Sequence, residues 1–469
     1  MTVNSINIEE AIASIQQQMR DEADLSPAMA RSIDILILVI QLLIEKLSLN
    51  SGNSSIPPSK KPKKLKHPAR KSSGNAPGGQ SGHHGKTLQQ VAYPDEVVEI
   101  EIDKRTLPRR DDLVRSSPEK RQVIDVVLKY SVTEYQAEVF EDSEGGRYVA
   151  RFPEGITKAI QYGSTIKALA VYLSQHQLIP YNRVQQVFED QFGLKLSQGT
   201  LTNFNREAFE RLEKFEHDLV KTLTKAQVLN ADETGIKVGN KGHWLHVLCT
   251  SKTTFLFPHS SRGTEAMNDM GVLTNFQNIL CHDHWKPYLS YDCLHSLCNA
   301  HHLRELEWVI EFKKQRWAKN MQKLLKDLNK TVLESGGAIS SSKKGAWIRK
   351  YRTILKDGRR ECPMILPAKG GPKRVSQTKE RNLLDRLAAY EQETLLFASE
   401  PEVPFTNNQA ERDIRMAKVQ QKVSGCFRSM NGARYFCRIR SYLLTSVKRG
   451  HSAFTQVVKL FEQVPEHAE

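Results

Sequence analysis

Two acids, Asp232 and Glu233, interrupt the otherwise apolar and β-branched run VLNADETGIKV, Val228 to Val238. With Val228, Leu229, Ile236 and Val238 around them, the run has the composition of a buried strand. An ionised carboxylate in that setting costs several kcal/mol unless a cation or a donor compensates it. Two more carboxylates stand at comparable addresses. Asp283 ends the short apolar run NILCHD, and Glu411 lies in NNQAERDIRMAKVQQK, a helical pattern opened by Asn408. Two strand-borne acids and one from a helix packed on the same sheet can converge on one spot, and converging carboxylates repel unless divalent metal holds them. Mg²⁺ prefers carboxylate and phosphate oxygens. Two such ions about 4 Å apart clamp the attacking and leaving oxygens of an in-line phosphoryl transfer and neutralise charge on its transition state.

Each acid also has a plainer reading. Asp232 could end its strand in a turn with Gly235, and Asp283 could cap whatever helix follows Trp285. Asn408 as N-cap with Glu411 three residues on matches a capping box, and Glu411 sits four before Arg415, a routine helix pair. A rival constellation is Cys281, His282, His284, Cys293, Cys298, His301 and His302. Its Cys-x4-Cys-x2-His-His spacing is not a standard structural-zinc pattern, and no third group is evident to orient a Cys–His nucleophile.

The elements that must position these residues follow from the chain's organisation. Its 469 residues suffice for two to four domains, and a net charge of +15 with a pI of about 9.3 points to a polyanionic partner. None of the seven cysteines precedes Cys249, which implies a reducing compartment. No secretory signal is read, and the apolar run Ile33–Leu47 is too short and too charged to span a membrane, so a cytoplasmic protein is expected. Residues 1–49 read as helical with a break at Pro27, either self-associating or packing on the same chain. Residues 50–94 form a basic linker, where Lys60, Lys61, Lys63, Lys64, Lys66, Arg70 and Lys71 have no nearby acid and suit non-specific phosphate contact. Residues 95–155 alternate as a small β-rich module (EVVEIEI, QVIDVVLKYSV, RYVARF). Residues 156–225 are helical. Tyr181–Gln191, a turn with Gly193, and a second helix capped by Ser197 outline either a helix-turn-helix or an ordinary helical hairpin. Residues 226–302 read strand, strand, strand, helix, strand, an α/β core on a mixed sheet. Residues 303–400 read as helices with a Lys- and Gly-rich interruption from about Ser335 to Arg374, and residues 401–469 as a last core helix with a basic tail. In that last segment Arg412, Arg415, Lys418, Lys422, Arg428, Arg434, Arg438, Arg440, Lys448 and Arg449 face only Glu411 and Asp413 as acids, the composition of a phosphate-binding surface.

Taken in order, the segments NSSIPPSK, GGQSGHHGKTL, YGSTIKALAVYLSQHQLIPYNRV, SQGTL, ADETGIKV, CHDHWKPY, CNAHHLREL and NNQAERDIRMAKVQQKVSGCFRS…GAR make the chain resemble a bacterial transposase of the insertion sequence 66 family over nearly its whole length. The resemblance implies a ribonuclease-H-like core with a helical insertion before its last acid. It also implies a DDE triad on Asp232, Asp283 and Glu411, the first two 51 positions apart and the third a further 128 on. It implies Mg²⁺, with Mn²⁺ able to substitute, and the same three acids as its ligands. Cleavage at element ends and strand transfer into target DNA are the implied activity. Double-stranded DNA, a homo-oligomer and accessory proteins of the same element are the implied partners, in the nucleoid. Two departures stand out. Residues 95–155 hold no cysteine where the family carries a zinc-binding segment, so no zinc is expected, and His284 replaces the usual glycine after the second acid. The alternative is a catalytically decayed protein that binds element ends without cutting.

Overall fold

The computed structural model describes residues 2–3, 6–21, 26–49, 89–103, 105, 116–367 and 375–462. The linker bases Lys60 to Lys71 lie outside the described residues. The chain divides into two compact units, Pro62–Glu134 and the remainder.

In the smaller unit the described residues hold no strand. EVVEIEI and QVIDVVLKYSV alternate as strands should, yet Ile100 and Val123 are 92% and 94% exposed. Alternation makes a strand only where a ladder partner and a covered face exist, and here the ties are side chain to backbone. Gln122 donates to Val91 O and accepts from Val91 N, at 2.8 and 2.7 Å. Of the expected β-rich module, the larger unit supplies one exposed hairpin, Val139–Glu141 with Arg147–Val149.

The larger unit begins with helices α1 (Ile8–Asp21) and α2 (Pro27–Ser48). Pro27 starts α2 rather than breaking a longer helix. It occupies the first helical position, where no N–H is needed, behind Ser26, whose side chain accepts from Met29 N. Then come α3 (Ser164–Val171, continued by a π turn to His176), α4 (Tyr181–Phe192), α5 (Gln198–Arg211) and α6 (Glu213–Thr224). Gly193 closes α4 at φ 67°, a left-handed angle that suits glycine, and Ser197 caps α5 by accepting from Thr200 N. Between them, turn and helices match the expected outline.

The five-stranded sheet follows: β1 (Val228–Val238), β2 (Lys241–Cys249), β3 (Thr254–His259), the short α7 (Thr264–Asp269), β4 (Ile279–His282) and β5 (Leu294–Leu297). Its spatial order is β3-β2-β1-β4-β5, antiparallel on the β2 side of β1 and parallel on the β4 side. The mixed sheet was legible. β5 was not, because LHSL is too short to show a period.

The insertion comprises α8 (Asn299–Lys313), α9 (Arg316–Glu334), α10 (Ser341–Glu361), α11 (Lys379–Ala389) and α12 (Glu391–Leu395) around its own core of Trp317, Met321, Leu325, Tyr351 and Leu384. Fully burying each such side chain contributes roughly 1.5–3 kcal/mol. α10 occupies most of the stretch read as a Lys- and Gly-rich interruption. Its lysines are the solvated side of the helix, and Gly358 is where Trp317 packs: a Cβ there would lie 2.7 Å from Leu384 Cδ1 and 3.1 Å from the indole.

Finally α13 (Asn408–Ser424) crosses one face of the sheet, and α14 (Met430–Lys448) and α15 (Ala453–Glu462) return to the helical region. Ile439, Leu443, Leu460 and Phe461 share a core with Val184, Phe188, Leu201 and Phe204. The segment read as a basic tail is therefore packed helix, and three of its bases are structural. Arg440 donates to Gln175 O and His176 O, satisfying carbonyls at the end of the π turn; Arg438 pairs with Glu216 at 2.7 Å, and Lys448 with Asp413 at 2.5 Å. Among the described residues no helix is long and apolar enough to cross a membrane.

Candidate active site

Side chains on β1 alternate between the two faces of the sheet. Ile236 and Val238 belong to the core that includes Ala410, Ile414 and Ala417 of α13, so Asp232, at the same parity, points to the α13 face. Leu229 and Ala231 belong to the core on the other side with Tyr288, and Glu233 shares that face. Asp232 thus sits mid-strand, with β1 running on to Val238, which removes the reading of a turn at Gly235.

Sheet register brings up the second acid. β1 pairs with β4 as far as Asn230–Cys281, where the ladder ends, and Asp283 follows two residues on, near enough for its charge to act on Asp232. One oxygen of Asp283 accepts from Trp285 N at 2.8 Å, ahead of the 3-10 turn Lys286–Ser290. The N-cap of that turn is Trp285, with no side-chain cap bond, so Asp283 does not cap it; its bond to Trp285 N is a local turn contact.

Glu411 arrives in the first turn of α13. The N-cap is Asn407, not Asn408, and it makes no side-chain cap bond, which removes the capping-box reading. Instead Asn407 Nδ2 donates to Ala231 O at 2.7 Å and its backbone N–H points at Cys298 Sγ at 3.1 Å. The start of α13 is thereby tied to the residue before Asp232 and to the start of α8. The Glu411 carboxylate pairs with Arg304 of α8 at 3.5 Å rather than with Arg415.

Asp232 feels both of the other acids. Burial pushes the Asp232 carboxyl up to about 8; the neighbouring Glu233 charge adds to this, Glu233 N–H opposes it, and the charges of Asp283 and Glu411 raise it further. Their oxygens do not form a group within 4.8 Å; among the described residues the one such group is Cys298, His301 and Glu411.

Glu233 is the residue that sequence reasoning passed over. Its side chain is 2% exposed, pairs with Arg262 at 2.7 Å and accepts from Tyr288 Oη at 2.6 Å. Burial raises its carboxyl and those two donors hold it back. The Arg262 guanidinium lies over the rings of Trp244 and Trp285, 4.7 and 4.2 Å from their centroids. The signal was present in the adjacency of the two acids, because consecutive strand positions face opposite ways and need different partners. Asn407 and Arg304 were likewise inside quoted segments, with no local pattern to assign them.

Arg412, Arg415, Lys418, Lys422 and Arg428 are exposed along and just beyond α13. Arg412 also bonds Gln409 Oε1, and Lys418 reaches Gly235 O. His284, which follows Asp283, is packed among other rings. Its ring lies against His302, with nitrogens 2.7 Å apart, and against Tyr390, and burial lowers it to about 4.

Asp232, Asp283 and Glu411 offer carboxylate oxygens, the donor type that a hard divalent cation takes. Burial is what raises Asp232 most, with the other two acids adding to it. No curated protein matches the chain. Among solved structures, the HTLV-2 integrase catalytic core domain in complex with magnesium (trimeric form) is similar at 15% identity, covering 33% of this chain and 94% of that one, with a TM-score of 0.14, too low to carry fold or site. The family model for the transposase IS66 family matches residues 159–435, more than half of the chain and the whole span from α3 to the start of α14 that holds all three acids. By that match, the chain belongs to the IS66 family of transposases.

Proposed function

We propose that the chain cuts DNA at the ends of a mobile element and joins them to target DNA by phosphoryl transfer, with Asp232, Asp283 and Glu411 as its acid set on a ribonuclease-H-like sheet. One observation carries the reading: Asp232, raised to about 8 first by burial and then by the charge of Glu233, also meets the charges of Asp283 and Glu411, while Glu233 itself is paired with Arg262. A bound Mg²⁺, for which Mn²⁺ could substitute, would supply charge neutralisation at the phosphate undergoing transfer. The chain's own residues supply position. The parallel pairing of β1 with β4 brings Asp283 near Asp232, Asn407 fixes the start of α13, and Arg304 orients Glu411. Arg412, Arg415, Lys418, Lys422 and Arg428 offer charge to flanking phosphates, as do the linker bases Lys60 to Lys71. The exposed Gln198, Thr202, Asn203 and Arg206 of α5 suit reading of base edges at an element end.

The test compares wild type with Glu411→Gln for cleavage and strand transfer on labelled element ends, with Mg²⁺ and with Mn²⁺. Loss of both steps with DNA binding kept is the expected result, and equal activity would remove Glu411 from the acid set. The Arg304 pairing of Glu411 favours a second reading, a chain that binds ends without cutting. In the same assay that reading requires wild type to bind and not cut.

A further inference from the structure

Beside the acid set lies a second group of ligand atoms with different chemistry. Cys298 is the N-cap of α8 and His301 stands one turn on, so both project from the same helix start. The Sγ of Cys298, the Nδ1 or Nε2 of His301 and a Glu411 oxygen all fall within 4.8 Å of one another. Three further features favour a cation there. Cys298 is 1% exposed, and its sulfur receives the backbone N–H of Asn407 at 3.1 Å. His301 Nδ1 is buried and has no hydrogen-bond partner among the described residues, an orphaned atom that a metal would satisfy. Finally, sulfur, imidazole and carboxylate make a zinc-type donor set rather than a magnesium-type one. Zinc bound tetrahedrally brings its ligand atoms to about 3.5 Å from one another; rotation of the Glu411 side chain, itself 32% exposed, can close that gap.

We propose that Cys298, His301 and Glu411 form a binding site for a soft divalent cation of the zinc class, distinct from the acid set but sharing Glu411 with it. Binding releases the Cys298 thiol proton to solvent and takes neutral His301 through Nδ1. Because Glu411 cannot serve both sites, zinc occupancy removes it from Asp232 and Asp283 and blocks phosphoryl transfer. This last consequence rests on the proposed function; the site itself does not.

Co²⁺ reports the site without any activity assay, through the thiolate-to-cobalt absorbance of a cysteine-ligated ion. Wild-type protein titrated with Co²⁺ should develop that absorbance, and equimolar Zn²⁺ should abolish it. Asp232→Asn, which disables the acid set, should bind Co²⁺ as wild type does. Cys298→Ser should lose the absorbance, and His301→Asn should weaken binding about 100-fold or more. Circular dichroism checks that each variant is folded, and the His301 variant keeps the test alive if Cys298→Ser misfolds. No cobalt–thiolate band in wild type, or an unchanged band in a folded Cys298→Ser, overturns the proposal. Failure of the proposed function would show separately, as absent cleavage with the cobalt result intact.

Discussion

Asp232 and Glu233 are consecutive acids on one strand, enclosed to similar degrees, and the sheet treats them oppositely. Glu233 turns to the face of Tyr288 and meets two donors, one of them a guanidinium held between two indoles. Asp232 turns to the face of α13 and meets two more carboxylates. Burying a charge is tolerated where it is paired and hydrogen-bonded, and costs several kcal/mol where it is not. The first acid is therefore explained by stability and the second is not. A fold retains an unpaired buried carboxylate beside two others only where something from outside completes it, which is why function is assigned to Asp232 and architecture to Glu233.

Asp232→Asn should produce the largest effect and split the two properties. The amide cannot replace a carboxylate in an acid set, so cleavage should fall by about 10³-fold or more, measured on labelled ends. Stability should move the other way in metal-free buffer. The native Asp232 carboxyl, at about 8, lies above its ordinary value of 3.8. Its contribution is fully present below pH 3.8 and is lost as pH rises through about 8, because the unfolded chain releases that proton more readily. Wild type should therefore melt lower at pH 8 than at pH 6, and Asp232→Asn should flatten that difference. An identical pH dependence in both proteins would mean that burial and the neighbouring acids do not raise the Asp232 carboxyl as described.

Glu233→Gln should do the reverse. It leaves Arg262, itself partly exposed, beside its two tryptophans without a counter-charge, a loss of about 1 kcal/mol once solvent screening is counted. Denaturant unfolding should show that loss, while cleavage per folded molecule stays close to wild type. A loss of cleavage matching that of Asp232→Asn, in folded protein, would place Glu233 in the chemistry and end the distinction between the two faces.

What the sequence disclosed follows the same division between local and non-local causes. The β1 run, the Gly193 turn and the Ser197 cap depend on neighbours in sequence, and each is found as expected. The β5 strand exists because β4 offers a parallel edge, which LHSL cannot announce. α10 looked like a loop because its helical period is carried by few apolar residues, Tyr351 and Leu355 among them, with Gly358 at its closest contact. The strand-like alternation of residues 96–102 and 122–132 forms no ladder among the described residues. In the candidate site, Asp232 stands on the strand expected for it and Glu411 in the first turn of its helix. Their supports could not be read locally, since Arg304 reaches Glu411 from another helix and Asn407 reaches a carbonyl far back in the chain.

Asn407 gives the finest probe of how the Asp232 face is assembled. The ladder between β1 and β4 ends at Asn230–Cys281, and the next carbonyl, Ala231 O, is taken by Asn407 Nδ2. Asn407→Ala removes that bond at a buried position, a loss of about 1–2 kcal/mol. Because the same residue begins α13, the loss also frees the turn that carries Glu411, and a displaced catalytic group slows reaction out of proportion to stability. Cleavage should fall on the order of tenfold with little change in DNA affinity. Asn407→Asp should be worse than Ala, since it sets a second acceptor, now charged, against the carbonyl and adds a fourth acid near the other three. If Asn407→Ala lost its 1 or 2 kcal/mol and cut at the wild-type rate, Glu411 would be held by Arg304 and the α13 core alone, and the tie at Ala231 would belong with Glu233 among the features that only stabilise the sheet.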